Sequence, residues 1–148
     1  MTKISLTQGR TAFIDNEDFE KVGQYKWHYE HGYARRDIDK KKRQYMHHLI
    51  MGDKQIDHIN GSGLDNRRIN LRQSTQTENS YNHRKNKNNT SGYKGVSWHN
   101  QSGRWRSYIS PGRKMISLGL FKLKTEAARA YNIAAKMYFG RFARTNEL

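Results

Sequence analysis

The chain has 148 residues, enough for one ordinary domain or two to three very small ones, and it contains no cysteine. The missing thiols exclude a disulfide framework and a cysteine-ligated structural zinc. The formal net charge of +15 indicates a polyanionic partner, and residues 81–148 hold 14 Lys and Arg against two Asp and Glu. There is no apolar signal core and no segment of membrane-spanning length. We therefore expect a soluble, cytoplasmic protein that does not bind membranes.

The first 46 residues predict a small β-rich module. Residues 4–7 and 10–14 alternate apolar and polar side chains around Gln8-Gly9, as in a hairpin. Residues 15–18 offer the cap and acidic first turn of a short helix through Val22. Further strands are predicted over 26–30, 33–38 and 43–46. We identify no chemistry here and expect this module to buttress the next one or to widen a nucleic-acid footprint.

Two histidines, His47 and His48, follow in the apolar run 45–51. We expect one of them to pack in support of the next segment, and a direct catalytic role is the alternative.

The next segment predicts a strand, a turn, a second strand and a helix. Residues 55–59 predict the first strand, and residues 60–63 are a loop of residues that tolerate positive φ. Residues 70–74 can return as the second strand. Thr75 and Glu78 fit the S/T-x-x-E capping box, so a helix is predicted to begin at Thr75.

Four polar residues in this segment suit the cleavage of a phosphodiester bond. Asp57 and His58 are adjacent, Asn70 follows His58 by twelve residues, and Asn79 follows by nine more. Carboxylate and amide oxygens, as in Asp57 and Asn79, suit Mg²⁺ or Mn²⁺ better than zinc. A neutral imidazole beside such a ligand can take the proton from an attacking water, which makes His58 a candidate general base.

This arrangement resembles the HNH (ββα-metal) nuclease family. The resemblance implies that Asp57 and Asn79 bind the divalent metal, that His58 is the general base, and that Asn70 is the central asparagine, which holds the loop and the histidine in place. The last position is Asn79 instead of histidine, which is similar to the homing-endonuclease branch with aspartate and asparagine ligands. His83 lies four residues after Asn79. It is either a third ligand or an exposed histidine on a basic helix.

The remaining third of the chain predicts a linker, a sheet and a helix. The linker, 85–92, is polar and basic and can lie along phosphates. Strands are predicted over 93–98, 104–109 and 114–119. A helix from Thr125 to Phe139 should stop at Gly140. Its buried stripe is predicted to comprise Ala127, Tyr131, Ala134 and Tyr138.

Residues 91–146 resemble the Apetala-two (ethylene-response-factor) DNA-binding domain. The match includes Tyr93-Lys94-Gly95-Val96, Gly103-Arg104-Trp105 and Glu126-Ala127-Ala128-Arg129-Ala130-Tyr131-Asn132. The resemblance implies a three-stranded antiparallel sheet in the major groove of double-stranded DNA, with the helix behind it. Strand alternation would then direct Arg104, Arg106 and Tyr108 to DNA, and Trp105, Ser107 and Ile109 to the helix. We expect Lys94, Arg113 and Lys114 to join the DNA contacts. Several base-contacting positions differ from the plant domains, so the target sequence is not inherited.

These patterns together predict an α+β chain in four parts. They are a β-rich N-terminal module (1–46), an HNH nuclease module (47–84), a basic linker (85–92) and a three-stranded antiparallel sheet packed on one helix (93–146). We hypothesise a site-specific, homing-type DNA endonuclease with one divalent metal, Mg²⁺ or Mn²⁺. The alternatives are a non-catalytic DNA-binding regulator and a basic RNA-binding protein, which fits the charge but not the spacing. We expect a monomer that nicks one strand per encounter, with a dimer as the alternative.

Overall fold

The computed structural model describes residues 1–112 and 114–148, which form two compact units. The first unit is Met1–Gln76 and the second is Thr77–Leu148. Both units mix strands and helices, so the predicted α+β class is confirmed. No helix among the described residues is both long enough and apolar enough to span a bilayer.

The first unit consists of short antiparallel strand pairs and two short helices. Its strands are β1 (Thr2–Ser5), β2 (Thr11–Ile14), β3 (His28–Glu30), β4 (Tyr33–Asp37), β5 (Arg43–Tyr45), β6 (Ile56–His58) and β7 (Leu71–Gln73). Its helices are α1 (Phe19–Val22) and α2 (Met46–Met51). β1 pairs with β2, β4 lies between β3 and β5, and β6 pairs with β7. The predicted N-terminal strands and the strand pair around the Asp57-His58 dipeptide are therefore confirmed.

One hydrophobic core serves this whole unit. Alternation along β2 turns Ala12 and Ile14 inward, where they meet Val22 of α1 and Met46 of α2. Ile56 of β6 and Leu71 of β7 belong to the same core. The strand pair that bears Asp57 and His58 is therefore built on the same apolar cluster as the predicted N-terminal module. A shared core stabilises a chain that has no disulfides, because each of these small segments would bury little apolar surface by itself.

The second unit is a three-stranded sheet backed by a long helix. Its elements are α3 (Gln76–Tyr81), whose first residue ends the first unit, β8 (Val96–His99), β9 (Arg104–Ile109), β10 (Ile116–Phe121) and α4 (Lys124–Phe139). β9 is the central strand and both its neighbours are antiparallel. α3 begins one residue after the predicted start at Thr75, and α4 begins one residue before the predicted start at Thr125.

Alanines allow α4 to lie close to the sheet. Ile109 of β9 packs with Tyr131, Ala134, Ala135 and Phe139, and a second cluster joins Val96 to Ala127 and Ala128. The prediction that Tyr138 belongs to the buried stripe is wrong, since its side chain is 49% exposed and Phe139 is buried instead. The helix ends as predicted at Gly140, whose φ is +51°.

Gly95 shows why the Tyr93-Lys94-Gly95-Val96 motif requires a glycine. Its φ is +73°, and a Cβ there would lie 2.0 Å from the ring of Tyr131 and 2.7 Å from the carbonyl oxygen of Tyr108. The backbone therefore approaches α4 closely at this point, where β9 also bonds to it through Tyr108 N–H and Gly95 C=O (2.9 Å).

The predicted linker, 85–92, is hydrogen-bonded within the second unit. Ser91 is buried and its Oγ donates to the carbonyl of Val96 (2.8 Å). Asn89 Nδ2 donates to the carbonyl of Tyr93 (2.9 Å), and Lys85 Nζ donates to that of Gly92 (2.6 Å). Side-chain bonds to backbone carbonyls thus give order to a sequence that has few apolar residues to bury.

Candidate functional site

Asp57 and His58 lie side by side at the end of β6, and both are almost fully buried, with 4% and 5% exposure. Asp57 is opposite Arg72 of β7, and its Oδ2 accepts from Arg72 Nε (2.8 Å) and Nη2 (2.5 Å). This buried ion pair was not predicted. The alternation of β7, which places Leu71 in the core and Arg72 away from it, is the sequence signal that indicates such a partner.

His58 has a hydrogen-bond partner that the sequence analysis missed. Its Nε2 lies 3.2 Å from Oδ1 of Asn66, which is completely buried. Asn66 Nδ2 points to the carbonyl of Gly63 (3.5 Å), so its oxygen faces the imidazole. An amide oxygen only accepts, so Nε2 bears the proton and Nδ1 is the basic nitrogen of the neutral ring. Burial lowers the pKa of His58, against the opposing effects of Asn66 and Asp57.

Asn70 fixes the loop between β6 and β7, as the HNH resemblance implies for the central asparagine. Its Oδ1 accepts from the backbone N–H of Asn60 (2.9 Å), and its Nδ2 donates to the carbonyl of Asp65 (2.7 Å). Its own carbonyl accepts from the N–H of Ile59, which directly follows His58 (2.9 Å). Three bonds from one residue therefore hold the loop that contains Asn66.

His47 and His48 on α2 lie next to this site. The ring of His47 is 5.0 Å from that of His58 and 4.5 Å from that of His48, measured between centroids. His47 is buried, its Nδ1 has no hydrogen-bond partner within residues 1–112 and 114–148, and its ring stacks on Tyr45. Burial, and repulsion from His58 and His48, lower its pKa to about 3. His47 is therefore a neutral wall of the His58 pocket, as expected for the histidine that packs in support.

The proposed metal ligands belong to different units. Asp57 is in the first, and Asn79 is partly buried on α3 in the second. No three His, Asp or Glu side chains among residues 1–112 and 114–148 are grouped to hold a metal. One carboxylate and one amide oxygen nevertheless fit Mg²⁺, because this ion keeps several waters and needs few protein ligands. His83 is exposed after α3. The joint binding of a metal by Asp57 and Asn79 stays a prediction.

The predicted alternation along β9 is observed. Ser107 and Ile109 are buried and Trp105 packs with Ala127 and Ala128 of α4, whereas Arg104 is exposed on the other face. Arg106, also on that other face, is partly buried. Its guanidinium lies 3.5 Å from Ser97 Oγ and 5.4 Å from the ring centre of Tyr108.

Three predicted DNA contacts lie outside this strand. Lys114 is exposed, and Arg113 lies outside the described residues. Lys94 is placed differently, because its Nζ donates to the backbone carbonyls of Tyr81 (2.6 Å) and His83 (2.7 Å). Two of its three N–H groups therefore have internal partners, and DNA contact by Lys94 stays a prediction.

Comparison with known proteins finds relatives of the whole chain and of its C-terminal part. Residues 91–141 match the AP2 domain model. An uncharacterized HNH endonuclease, L560, of Acanthamoeba polyphaga mimivirus is 30% identical over 157 residues, which cover 99% of this chain and 80% of that protein. Protein 3.8 of Escherichia phage T7 is 36% identical over 89 residues, 60% of this chain and 73% of that protein. The AP2-like ethylene-responsive transcription factor AIL5 of Arabidopsis thaliana is 47% identical over 56 residues, 36% of this chain and 10% of that protein.

Proposed function

The chain belongs to the HNH endonuclease family, and from this premise we propose that it is a metal-dependent, site-specific DNA endonuclease of the homing type. Its C-terminal part contains an AP2 domain, residues 91–141, which we propose to bind double-stranded DNA. The observation that supports cleavage best is the imidazole of His58, which is buried, has its pKa lowered by that burial and lies with Nε2 toward Asn66. A neutral imidazole can accept a proton from water, as a general base must.

In the proposed reaction, His58 Nδ1 takes the proton of the attacking water while Asn66 holds Nε2. Asn70 keeps the supporting loop in place through its two side-chain bonds. Asp57 and Asn79 would hold Mg²⁺ or Mn²⁺, which when bound neutralises phosphate charge and assists the departing oxygen. With one nuclease module per chain, each chain should cut one strand per encounter, unless two chains act together.

Recognition of DNA is proposed for the exposed face of the sheet. Arg104, Arg106 and Tyr108 lie on it, with Lys114 on the chain that leads into β10. Arginine can bond two acceptors of guanine in the major groove, which gives base selection, and each phosphate contact adds affinity that salt weakens. The second unit holds most of the net positive charge of the chain, which fits this division of labour.

A non-catalytic DNA-binding regulator is the second candidate, and one observation favours it. The guanidinium of Arg72 already provides Asp57 with a positive partner, so the carboxylate is neutralised without a metal. The presence of Asp57, His58, Asn70 and Asn79 together, at the spacing of the HNH resemblance, favours the endonuclease.

A supercoiled-plasmid assay separates the two candidates. The endonuclease should convert plasmid that contains the target to nicked circles in Mg²⁺ or Mn²⁺, and should stop in EDTA. A regulator should bind the same duplex in both buffers and never nick it. Binding without nicking at saturating protein and metal would contradict the proposed activity and would leave the DNA-binding role.

A further inference from the structure

The end of helix α3 is held by the AP2 fold through the side chain of Tyr81. The ring of Tyr81 stacks on Phe139 of α4, with 3.9 Å between centroids and 12° between planes. Its Oη accepts from the backbone N–H of Gly112 (3.2 Å). Phe139 is itself buried in the core of this unit. The last residue of α3 is therefore attached to the packed face of α4.

Lys94 holds the backbone at the same point. The last carbonyls of a helix lack partners within it, and a cation there also interacts favourably with the helix dipole. Lys94 Nζ donates to the carbonyls of Tyr81 (2.6 Å) and His83 (2.7 Å), which are the last residue of α3 and the second residue beyond it. Burial, with the nearby charge of Arg144, lowers the pKa of Lys94 to about 8. Its ammonium group is thus partly buried and hydrogen-bonded within the unit.

The backbone of Lys94 is fixed as firmly as its side chain. Its N–H donates to Oδ1 of Asn146 (2.7 Å), and its carbonyl accepts from Nδ2 of the same residue (3.1 Å). Asn146 in turn exchanges two bonds with the side chain of Asn132 on α4, at 2.7 and 2.9 Å. A continuous chain of hydrogen bonds therefore leads from α4 through Asn146 and Lys94 to the end of α3.

α3 needs such support because it has only six residues. Helices this short do not persist in water without tertiary contacts. Asn79 lies two residues before Tyr81, and its carbonyl accepts from the N–H of Asn82 (3.2 Å) in the same clamped turn. Asn82 is buried, and its carbonyl accepts from Arg144 (3.5 Å). The backbone of Asn79 is thus bonded to a turn that residues of the C-terminal fold hold.

We propose that Tyr81 and Lys94 are positioning residues for cleavage, which hold α3 on the AP2 domain and thereby set the place of Asn79. This inference rests on the proposed function, in which Asn79 is a metal ligand. The AP2 domain then has two roles: it binds DNA through one face of its sheet, and it supports the helix that bears Asn79. Loss of the clamp should impair metal use and turnover while leaving duplex affinity intact.

The experiment compares Tyr81→Ala, Tyr81→Phe and Lys94→Met in the full-length chain. Tyr138→Ala and Lys136→Met are matched controls, because both residues are exposed on α4. The readouts are amide hydrogen exchange without metal, duplex affinity in EDTA, and kcat, KM and half-saturating Mg²⁺ for plasmid nicking. Exchange does not depend on activity, so it reports on the clamp even in a chain that does not cleave.

We expect Tyr81→Ala and Lys94→Met to lose protection at residues 77–83 and to keep it across β9. The Mg²⁺ concentration that gives half-maximal nicking should rise by about 10- to 100-fold, and kcat should fall by a similar factor. Effects of this size are usual for residues that orient a metal ligand. In Tyr81→Ala, KM for DNA and duplex affinity should stay within about twofold of the parent, because Tyr81 is not among the expected DNA contacts and such contacts dominate DNA affinity. Tyr81→Phe keeps the stacked ring and should restore protection and turnover.

Unchanged protection at residues 77–83 in Tyr81→Ala and Lys94→Met would overturn the inference. So would a loss of duplex affinity in Lys94→Met with α3 still protected, because Lys94 would then be a DNA contact. A parent chain that never nicks plasmid contradicts the proposed function and, with it, the kinetic half of this inference. The exchange result still decides in that case whether Tyr81 and Lys94 hold α3.

Discussion

Asn66 Oδ1 lies 3.2 Å from Nε2 of His58, and both residues are buried. This contact sets the tautomer of the imidazole, since the amide oxygen accepts the Nε2 proton and leaves Nδ1 as the basic nitrogen. A neutral acceptor does this without adding a charge that would stabilise the imidazolium. The pair therefore orients a base whose pKa burial already lowers.

Replacing Asn66 by aspartate should shift the pH dependence of cleavage. A carboxylate beside Nε2 favours the charged imidazolium and raises the pKa of His58. Because the base must be neutral to act, the acidic limb of the pH–rate profile should move to higher pH in Asn66→Asp. Asn66→Ala should reduce the rate without that upward shift. Nicking rates measured between pH 5 and 9 test this, and an unmoved acidic limb would contradict the assigned contact.

Removal of the base itself should separate catalysis from binding. His58→Ala should lower the nicking rate by about 10² to 10⁴, the usual contribution of a general base. Duplex affinity in EDTA should match the parent, because the proposed DNA contacts lie on the C-terminal sheet. Plasmid nicking and a gel shift on the same preparation provide the measurement. Near-parental nicking by this variant would show that His58 is not the base.

Asp57 forms an ion pair and is also a proposed metal ligand, and a double variant distinguishes these two roles. Asp57→Ala removes the carboxylate from a largely buried ion pair with Arg72, and breaking such a pair costs roughly 3–5 kcal/mol. Asp57→Leu combined with Arg72→Met removes both charges and the side-chain oxygens at position 57, and it should recover most of that stability. If Asp57 is also a metal ligand, the double variant should fold normally and still fail to nick in Mg²⁺. Urea unfolding and the plasmid assay give the two answers, and full activity of the double variant would exclude Asp57 as a ligand.

The buried His47 should make the first unit sensitive to acid. Its pKa is lowered to about 3, whereas in the unfolded chain it titrates near 6.5. Between these values only the unfolded state binds the proton, so stability is complete above about pH 6.5 and falls by roughly 1.4 kcal/mol per pH unit below it. The neighbouring titratable groups that share the pocket are His48, His58, Tyr33 and Tyr45.

His47→Phe keeps a ring stacked on Tyr45 and removes this titration. The free energy of unfolding of this variant should therefore fall less steeply than that of the parent as the pH is lowered from about 6.5 to 3. The difference in slope should correspond to the uptake of one proton on unfolding. Urea unfolding followed by amide signals of the first unit provides the measurement, with the exposed His83→Phe as control. Identical slopes for His47→Phe and the parent would contradict the buried neutral state.

The exposed face of β9 should control the salt dependence of DNA binding. If Arg104 or Arg106 neutralises a phosphate, its replacement by alanine should make the slope of log affinity against log salt shallower by about 0.9. If Arg106 instead hydrogen-bonds to a base, its replacement by alanine should leave the salt slope unchanged. The free energy of binding to the target sequence should then weaken by about 1–3 kcal/mol. Lys136→Ala, on the outer face of α4, is the control. If both arginine variants bind DNA with the same affinity and salt slope as the parent, this face of the sheet does not contact DNA.

Local patterns predicted most of the elements. Alternation identified the strands of both units, and the Thr75 to Glu78 box identified the start of α3 to within one residue. These features depend on neighbours in the chain, so short windows of sequence contain them. The wrong prediction at Tyr138 concerns two adjacent aromatic residues. Helical periodicity favours Tyr138 for the buried stripe, whereas packing against the sheet buries Phe139 instead.

The partners of the functional residues depended on the tertiary structure. The sequence by itself determined that Asp57 and His58 are adjacent on a strand and that Arg104 and Arg106 share a sheet face, because strand geometry alone dictates both. Pairing of β6 with β7 places Arg72 against Asp57, the loop held by Asn70 brings Asn66 to His58, and α4 supports Lys94 at the end of α3. The pairs Asp57–Arg72, His58–Asn66 and Lys94–Tyr81 join residues 8 to 15 positions apart through polar groups that are wholly or partly buried. Such groups must find hydrogen bonds once water is excluded, and which partner they find is decided only when the chain is packed.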